Sequence, residues 1–126
     1  MSPMEHDRGA VARTILEQIG GREFLMTTGS KQLVYDEKSL RMRLIRNPSR
    51  ANFLTITLGG DDLYEMLFTY YRAPHCQVKA GKVFERPEVR KEIARYKGVY
   101  GDMLRPVFTQ VTGLETRFPK IEFEKG

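Results

Sequence analysis

Hydrophobic and polar positions alternate with a period of two in two neighbouring segments near the middle of the chain, SLRMRLI and NFLTITL. This alternation is typical of strands that bury one face. If core side chains face each other across a hairpin, the register pairs Leu44 with Leu54, Met42 with Ile56 and Leu40 with Leu58. The pairing directs Arg41 and Arg43 to the outer face of the hairpin.

Residues 61–73 are ambiguous, because their apolar positions fit either a helical stripe or a strand. Their aromatic content and the preceding Gly59-Gly60 turn favour a strand. Pairing Leu58 with Tyr64 gives three outer-face rows: Arg41, Thr57 and Glu65; Arg43, Thr55 and Leu67; Ile45, Phe53 and Thr69. The arginines of these rows would face water or a partner.

The N-terminal part of the chain predicts one helix followed by strands. Residues 10–19 carry an apolar stripe at helical spacing, and Gly20-Gly21 provides a stop. REFLMTTG and KQLVY, residues 22–29 and 31–35, are predicted as strands separated by a turn.

The second half predicts a hairpin and then two helices. The hairpin turns around Ala80-Gly81, and Pro87 opens a stretch with apolar residues at helical spacing. Two helices are expected to meet near Gly98, and the second ends at Gly113. Residues 117–126 could form an edge strand or a loose end.

Together these elements predict an α+β fold, with an antiparallel sheet of four to six strands packed on one face by an N-terminal and a C-terminal helix. We expect one domain over residues 1–126, with residues 1–9 and 118–126 as loose ends. The predicted core comprises Ile15, Leu16, Ile19, Leu40, Met42, Leu44, Leu54, Ile56, Leu58, Met66, Phe68, Met103, Leu104, Val107 and Phe108.

The positive charge is concentrated in the strand-loop-strand segment. The formal net charge is +5, and residues 38–60 alone contain five basic and no acidic residues. This distribution favours a polyanionic partner. An aromatic side chain beside basic residues on an open sheet can hold nucleic acid by stacking and phosphate neutralisation. The predicted nucleic-acid-binding residues are Arg41, Arg43, Arg46, Arg50, Phe53 and Arg72.

Other candidate chemistry is weak. GGDD, residues 59–62, resembles a metal-binding hairpin motif of nucleotide cyclases, but the preceding strand has no carboxylates, which favours a tight turn. His75 and Cys76 would point to opposite faces of a strand, and a single cysteine with two histidines does not supply usual zinc-ligand spacings. We therefore expect a non-enzymatic protein with no cofactor and no bound metal.

An alternative to nucleic-acid binding is interaction with an acidic host protein. The predicted outer face carries an apolar strip, formed by Ile45, Phe53, Leu67 and Tyr71, that a partner or a second copy of the chain could cover. No apolar run is long enough for a membrane span, and one cysteine fits a reducing compartment, so a cytoplasmic location is expected.

Three stretches carry a resemblance to a known family: ILEQIGGREFLMTTGSKQLV, TITLGGDDLYE and GVYGDMLRPVFTQVTGL. With these segments the sequence resembles a family of small uncharacterised proteins encoded by phages and other mobile genetic elements. The similarity extends roughly from the first helix to Gly113 and involves no catalytic motif. It implies an origin in a phage or another mobile element, with the cytoplasm of the host cell as the location, and it implies no activity. From the charge pattern we expect an accessory protein that binds nucleic acid, and from the apolar strip, as the alternative, an anti-defence protein that inhibits a host defence or replication factor.

Overall fold

The computed structural model describes residues 9–117 and shows an α+β fold. The helices are α1 (Ala10–Ile19), α2 (Gly21–Thr28) and α3 (Leu104–Thr112), and a 3₁₀ turn at Gly101–Met103 leads into α3. The strands are β1 (Lys31–Tyr35), β2 (Ser39–Arg43), β3 (Phe53–Leu58), β4 (Tyr64–Arg72), β5 (His75–Lys79), β6 (Lys82–Arg86) and β7 (Val89–Val99).

Five strands form one antiparallel sheet in the order β1-β2-β3-β4-β7, and β5 and β6 form a separate hairpin. The helices pack on one face of the sheet, the inner face, which carries the buried residues Leu40, Met42, Leu54, Ile56, Met66 and Phe68. Helix residues Phe24 and Phe108 complete this core, with ring centroids 4.9 Å apart in an edge-to-face arrangement. The predicted fold class is therefore confirmed.

The prediction of a strand over residues 22–29 was wrong, because this segment forms α2. Phe24 and Thr28, one helical turn apart, are both buried against the core. Gly20 separates α2 from α1 with a φ of +130°, and a Cβ there would lie 2.6 Å from Nη2 of Arg105. Only glycine suits this position, so two short helices form where one helix and a strand were expected.

The register between β2 and β3 differs from the prediction by two residues. Met42 lies opposite Leu54 and Leu40 opposite Ile56, so Arg43, not Ile45, pairs with Phe53. A shift of two keeps the same side chains on the inner face, which is why alternation could not distinguish the two registers. The β3–β4 register was predicted correctly, with Leu58 opposite Tyr64.

The prediction of a helix after Pro87 was also wrong, because residues 89–99 form β7. Two irregularities interrupt its pairing with β4, one facing Tyr64 to Met66 and the other facing Phe68 to Thr69. Each bulge adds a residue and restarts the alternation. Apolar positions along β7 therefore fall at intervals of three and four, which imitates a helix.

The hairpin predicted around Ala80-Gly81 is present as β5 and β6. We call this hairpin, residues 75–86, the arm.

The C-terminal helix α3 ends at Gly113, as predicted. Of the predicted core, Met103 was wrong, because it is 45% exposed at the end of the 3₁₀ turn. The predicted loose ends, residues 1–9 and 118–126, lie outside the described residues except for Gly9.

Among residues 9–117, no helix combines the length and the apolar character that crossing a membrane requires.

Candidate nucleic-acid interface

A groove rich in cations lies at the end of the sheet where the segment 44–52 joins β2 to β3. Its volume is about 880 Å³, and none of its described lining residues is a carboxylate. We call it the basic groove, and its cations are Arg43, Arg46, Arg50, Arg72 and Lys91. No residue between 9 and 117 forms an ion pair with any of these five side chains. Their charge is therefore available to an external anion.

A turn organised by Asn47 positions two of these cations. Asn47 is buried, and its amide nitrogen donates hydrogen bonds of 2.8 Å to the carbonyl oxygens of Ile45 and Ala51. The backbone nitrogen of Arg50 donates to the carbonyl of Asn47 at 3.0 Å. Pro48 packs near Gly113 at the end of α3. Because the turn is held from within, Arg46 and Arg50 emerge from a defined backbone.

Arg72 is placed by the ends of β3 and β4. The side chain of Asn52 both donates to the carbonyl of Tyr71, at 2.7 Å, and accepts from its backbone nitrogen, at 2.8 Å. This pairing extends the β3–β4 ladder to the edge of the groove. Nη2 of Arg72 donates to the carbonyl of Pro87 at 3.4 Å, whereas its buried Nε has no partner in the structure.

The outer face of the sheet carries the remaining two predicted binding residues, Arg41 and Phe53. The guanidinium carbon of Arg41 lies 4.4 Å from the ring centroid of Phe53, and that of Arg90 lies 5.1 Å from the ring of Tyr71. The two rings are themselves 6.3 Å apart. These side chains form a row of alternating cations and rings, in which guanidinium groups already cover the aromatic surfaces.

Ion pairs within the protein neutralise much of the outer face. Arg95 pairs with Glu65 and, at 2.7 Å, with Glu92, while Arg90 pairs with Glu88. These contacts raise the pKa of Arg95, chiefly through its hydrogen bond to Glu92. Base stacking on Phe53 would also have to displace Arg41. The basic groove is therefore the stronger anion site of the two surfaces.

The apolar strip predicted for a protein interface is interrupted. Leu67 and Tyr71 lie on the outer face with Phe53, but the register places Arg43 beside Phe53 in the position expected for Ile45. Ile45 instead packs against Gly29, where an added Cβ would lie 2.7 Å from its Cγ2 atom. The strip is therefore shorter than the sequence indicated.

Lys91 is a groove residue that the sequence analysis missed. It lies opposite Tyr70 in the β4–β7 ladder, next to the predicted site residue Arg72. Because the stretch after Pro87 was predicted as a helix, Lys91 was not placed beside the arginines. Pro87 at the strand entrance and the glycine at position 98 were the available signals for a bulged strand.

Comparisons with models of protein families, with curated proteins and with solved structures each found no match. The resemblance to proteins of phages and other mobile elements stays a prediction.

Proposed function

We propose that this chain is a non-enzymatic accessory protein of a phage or another mobile element, which binds nucleic acid in the cytoplasm of a host cell. The observation that carries the proposal is the basic groove, whose five cations have neither a lining carboxylate nor an ion pair among residues 9–117. Nucleic-acid phosphates are the abundant anions that reward such clustering, because each neutralised phosphate releases counterions.

The test replaces three groove arginines together, as Arg46→Gln, Arg50→Asn and Arg72→Gln, and measures binding to single- and double-stranded DNA and RNA by fluorescence anisotropy. If each arginine contacts one phosphate, the plot of log K against log salt should become less steep, with the magnitude of its slope reduced by about 3. A binding loss of at least about tenfold at physiological salt is expected.

The matched control removes the same charge elsewhere, as Arg22→Gln, Lys38→Gln and Lys97→Gln. These exposed side chains do not line the basic groove, so the control should keep nearly all of the affinity. Equal losses in both triple variants would show that net charge, not the groove, drives association. No binding of the wild-type protein to any of the four nucleic acids at low salt would refute the proposed function.

A second candidate is a protein-interaction module that inhibits a host defence or replication factor through an acidic surface of that factor. It is favoured by the edge strand β1, whose five residues are all exposed, with Val34 61% and Tyr35 56% exposed. An exposed edge offers backbone groups and side chains to an added strand, from a partner or from a second copy.

Light scattering of nuclease-treated protein tests whether two copies of the chain form a homodimer through this edge, and Val34→Lys should abolish such a dimer. A nuclease-treated monomer that retains no host partner would exclude this candidate.

A further inference from the structure

The arm extends from the sheet as a two-stranded ribbon. Its strands pack against each other, and no other described helix or strand contacts them extensively. Val78 is 71% exposed, Val83 67% and Phe84 46%. Isolated two-stranded hairpins are marginally stable in water, so a projecting ribbon with exposed apolar side chains suits a role in binding.

The two faces of the arm differ in chemistry. Residues that lie directly opposite each other in an antiparallel pair share a face. One face has the pairs His75 with Arg86, Gln77 with Phe84 and Lys79 with Lys82. The other has Cys76 with Glu85 and Val78 with Val83. The first face therefore combines cations at the tip with amide and guanidinium donors, and Nε of Arg86 donates to the side chain of Gln77 at 3.2 Å.

The base of the arm adjoins the basic groove. Arg72 and Val89, which both line the groove, are the paired residues from which the chain leaves and re-enters the sheet. The hydrogen bond from Arg72 to Pro87 joins the groove to the returning chain. The four residue steps from His75 to Lys79 place the tip lysines roughly 13 Å beyond the first pair of the arm. Two cationic sites thus lie at the two ends of one ribbon.

We propose that the nucleic acid is double-stranded DNA, and that the arm enters its major groove while the basic groove holds the adjacent phosphates. This inference rests on the proposed function and specifies its ligand. A two-stranded ribbon fits the major groove of B-form DNA, which is about 12 Å wide, whereas the major groove of A-form RNA is too narrow and deep. Lys79 and Lys82 reach phosphates or guanine edges, Gln77 and Arg86 can bond base edges, and Phe84 can contact thymine methyl groups.

The first experiment compares the wild-type protein with an arm-shortened variant that lacks residues 76–79 and 82–85. The deletion removes an even number of residues from each strand, so the Ala80-Gly81 turn follows His75 and Arg86, a pair of the same type as Lys79 and Lys82. It removes no residue of the five-stranded sheet or of the basic groove. The wild-type protein should bind a DNA duplex at least about tenfold more tightly than single-stranded DNA or an RNA duplex of the same sequence and length. The shortened variant should lose this preference, and its salt slope on duplex DNA should fall by about 2.

The double variant Lys79→Gln, Lys82→Gln keeps the length of the arm. It should also reduce the preference for duplex DNA, by less than the deletion does. Circular dichroism checks that each variant is folded. The groove triple variant should instead weaken all nucleic acids. Equal binding of single- and double-stranded DNA by the wild-type protein, or unchanged duplex preference after arm shortening, would overturn the inference while leaving the proposed function intact. Absence of all binding would overturn both.

Chemical footprinting identifies the groove that the arm occupies. Guanine N7 faces the major groove and adenine N3 the minor groove, and dimethyl sulfate methylates both positions. The wild-type protein should protect guanine N7 over one short segment, and the arm-shortened variant should restore its reactivity. Protection of adenine N3 alone, or of neither atom at saturating protein, would contradict insertion into the major groove.

Discussion

Arg50 combines charge with an unfavourable backbone conformation. Its φ is +68°, in the left-handed region, which costs a residue with a Cβ about 1–2 kcal/mol. Three other non-glycine residues in the described chain, Gln32, Asp62 and Ala80, also have positive φ. Of the four, only Arg50 lines the basic groove. The strain of this backbone and the charge of this side chain are separate properties, and substitution can distinguish them.

Replacing Arg50 with Asn separates these two properties. Asn tolerates the left-handed conformation and carries no charge, so Arg50→Asn should keep or raise the free energy of unfolding, by up to about 1 kcal/mol. The same variant should weaken nucleic-acid binding and lower the salt slope by about 1. Urea denaturation and anisotropy titration measure the two effects. A destabilised variant with unchanged binding would assign Arg50 a structural role.

Tyr64 links stability to alkaline pH. Burial raises the pKa of Tyr64 above its ordinary value of 10.0, and the charge of Asp62 adds to the effect. The folded protein therefore holds the phenolic proton more tightly than the unfolded chain does. The resulting stabilisation is present in full below pH 10 and is lost as the pH rises through the unfolded and then the folded pKa.

The variant Tyr64→Phe removes this titration. The difference in unfolding free energy between wild type and variant should be constant from pH 7 to about pH 9 and should shift in favour of the variant above about pH 10. Urea denaturation at matched ionic strength measures the difference at each pH. A difference that stays constant to pH 11 would contradict the raised pKa.

At the scale of elements, β7 shows most clearly where the sequence pattern misleads. The pattern identified β2 and β3 because both keep strict alternation on a half-buried sheet, whereas β4 was predicted from its aromatic content and the preceding Gly59-Gly60 turn. It failed for β7, whose two bulges change the spacing of apolar residues, and for α2, whose length of eight residues hardly exceeds that of a strand. Alternation defines faces, whereas registers and bulges depend on turns and neighbours.

A substitution at Gly98 distinguishes a bulged strand from a helix. Gly98 lies within β7 with a φ of +67°. In a helix, Gly98→Ala would stabilise by about 1 kcal/mol, because alanine has the higher propensity. In the bulge, the added Cβ should destabilise the fold by about 1 kcal/mol or more. Thermal or urea denaturation gives the sign, and a stabilised variant would contradict the strand.

The candidate site was predicted in composition but not in shape. Arg43, Arg46, Arg50 and Arg72 were chosen for their charge, and the structure places all four along one groove. Arg41, chosen for its charge, and Phe53, chosen as an aromatic for base stacking, contact each other on the outer face. The groove itself depends on the Asn47 turn and on the Asn52 side chain, and neither contact has a periodic signature.

For the whole molecule, the distribution of contacts predicts two levels of stability. The five-stranded sheet and the helices share one core, whereas the arm projects from them and packs mainly on itself. Amide hydrogens of β5 and β6 should therefore exchange far faster than those of β3 and β4, whose opening approaches global unfolding. Hydrogen exchange monitored by NMR or mass spectrometry checks this order, which equal protection would contradict. Saturating duplex DNA should slow exchange in the arm selectively.

The way the arm joins the sheet has a consequence for how such a protein can diversify. Because Arg72 and Val89 are register partners, the chain leaves and returns at neighbouring points of the same ladder. The sheet closes there whatever lies between them. Loops or hairpins of other lengths could be exchanged at this junction without disturbing the core. The scaffold is thus suited to grafting, because one contiguous insert between Arg72 and Val89 can be replaced as a unit.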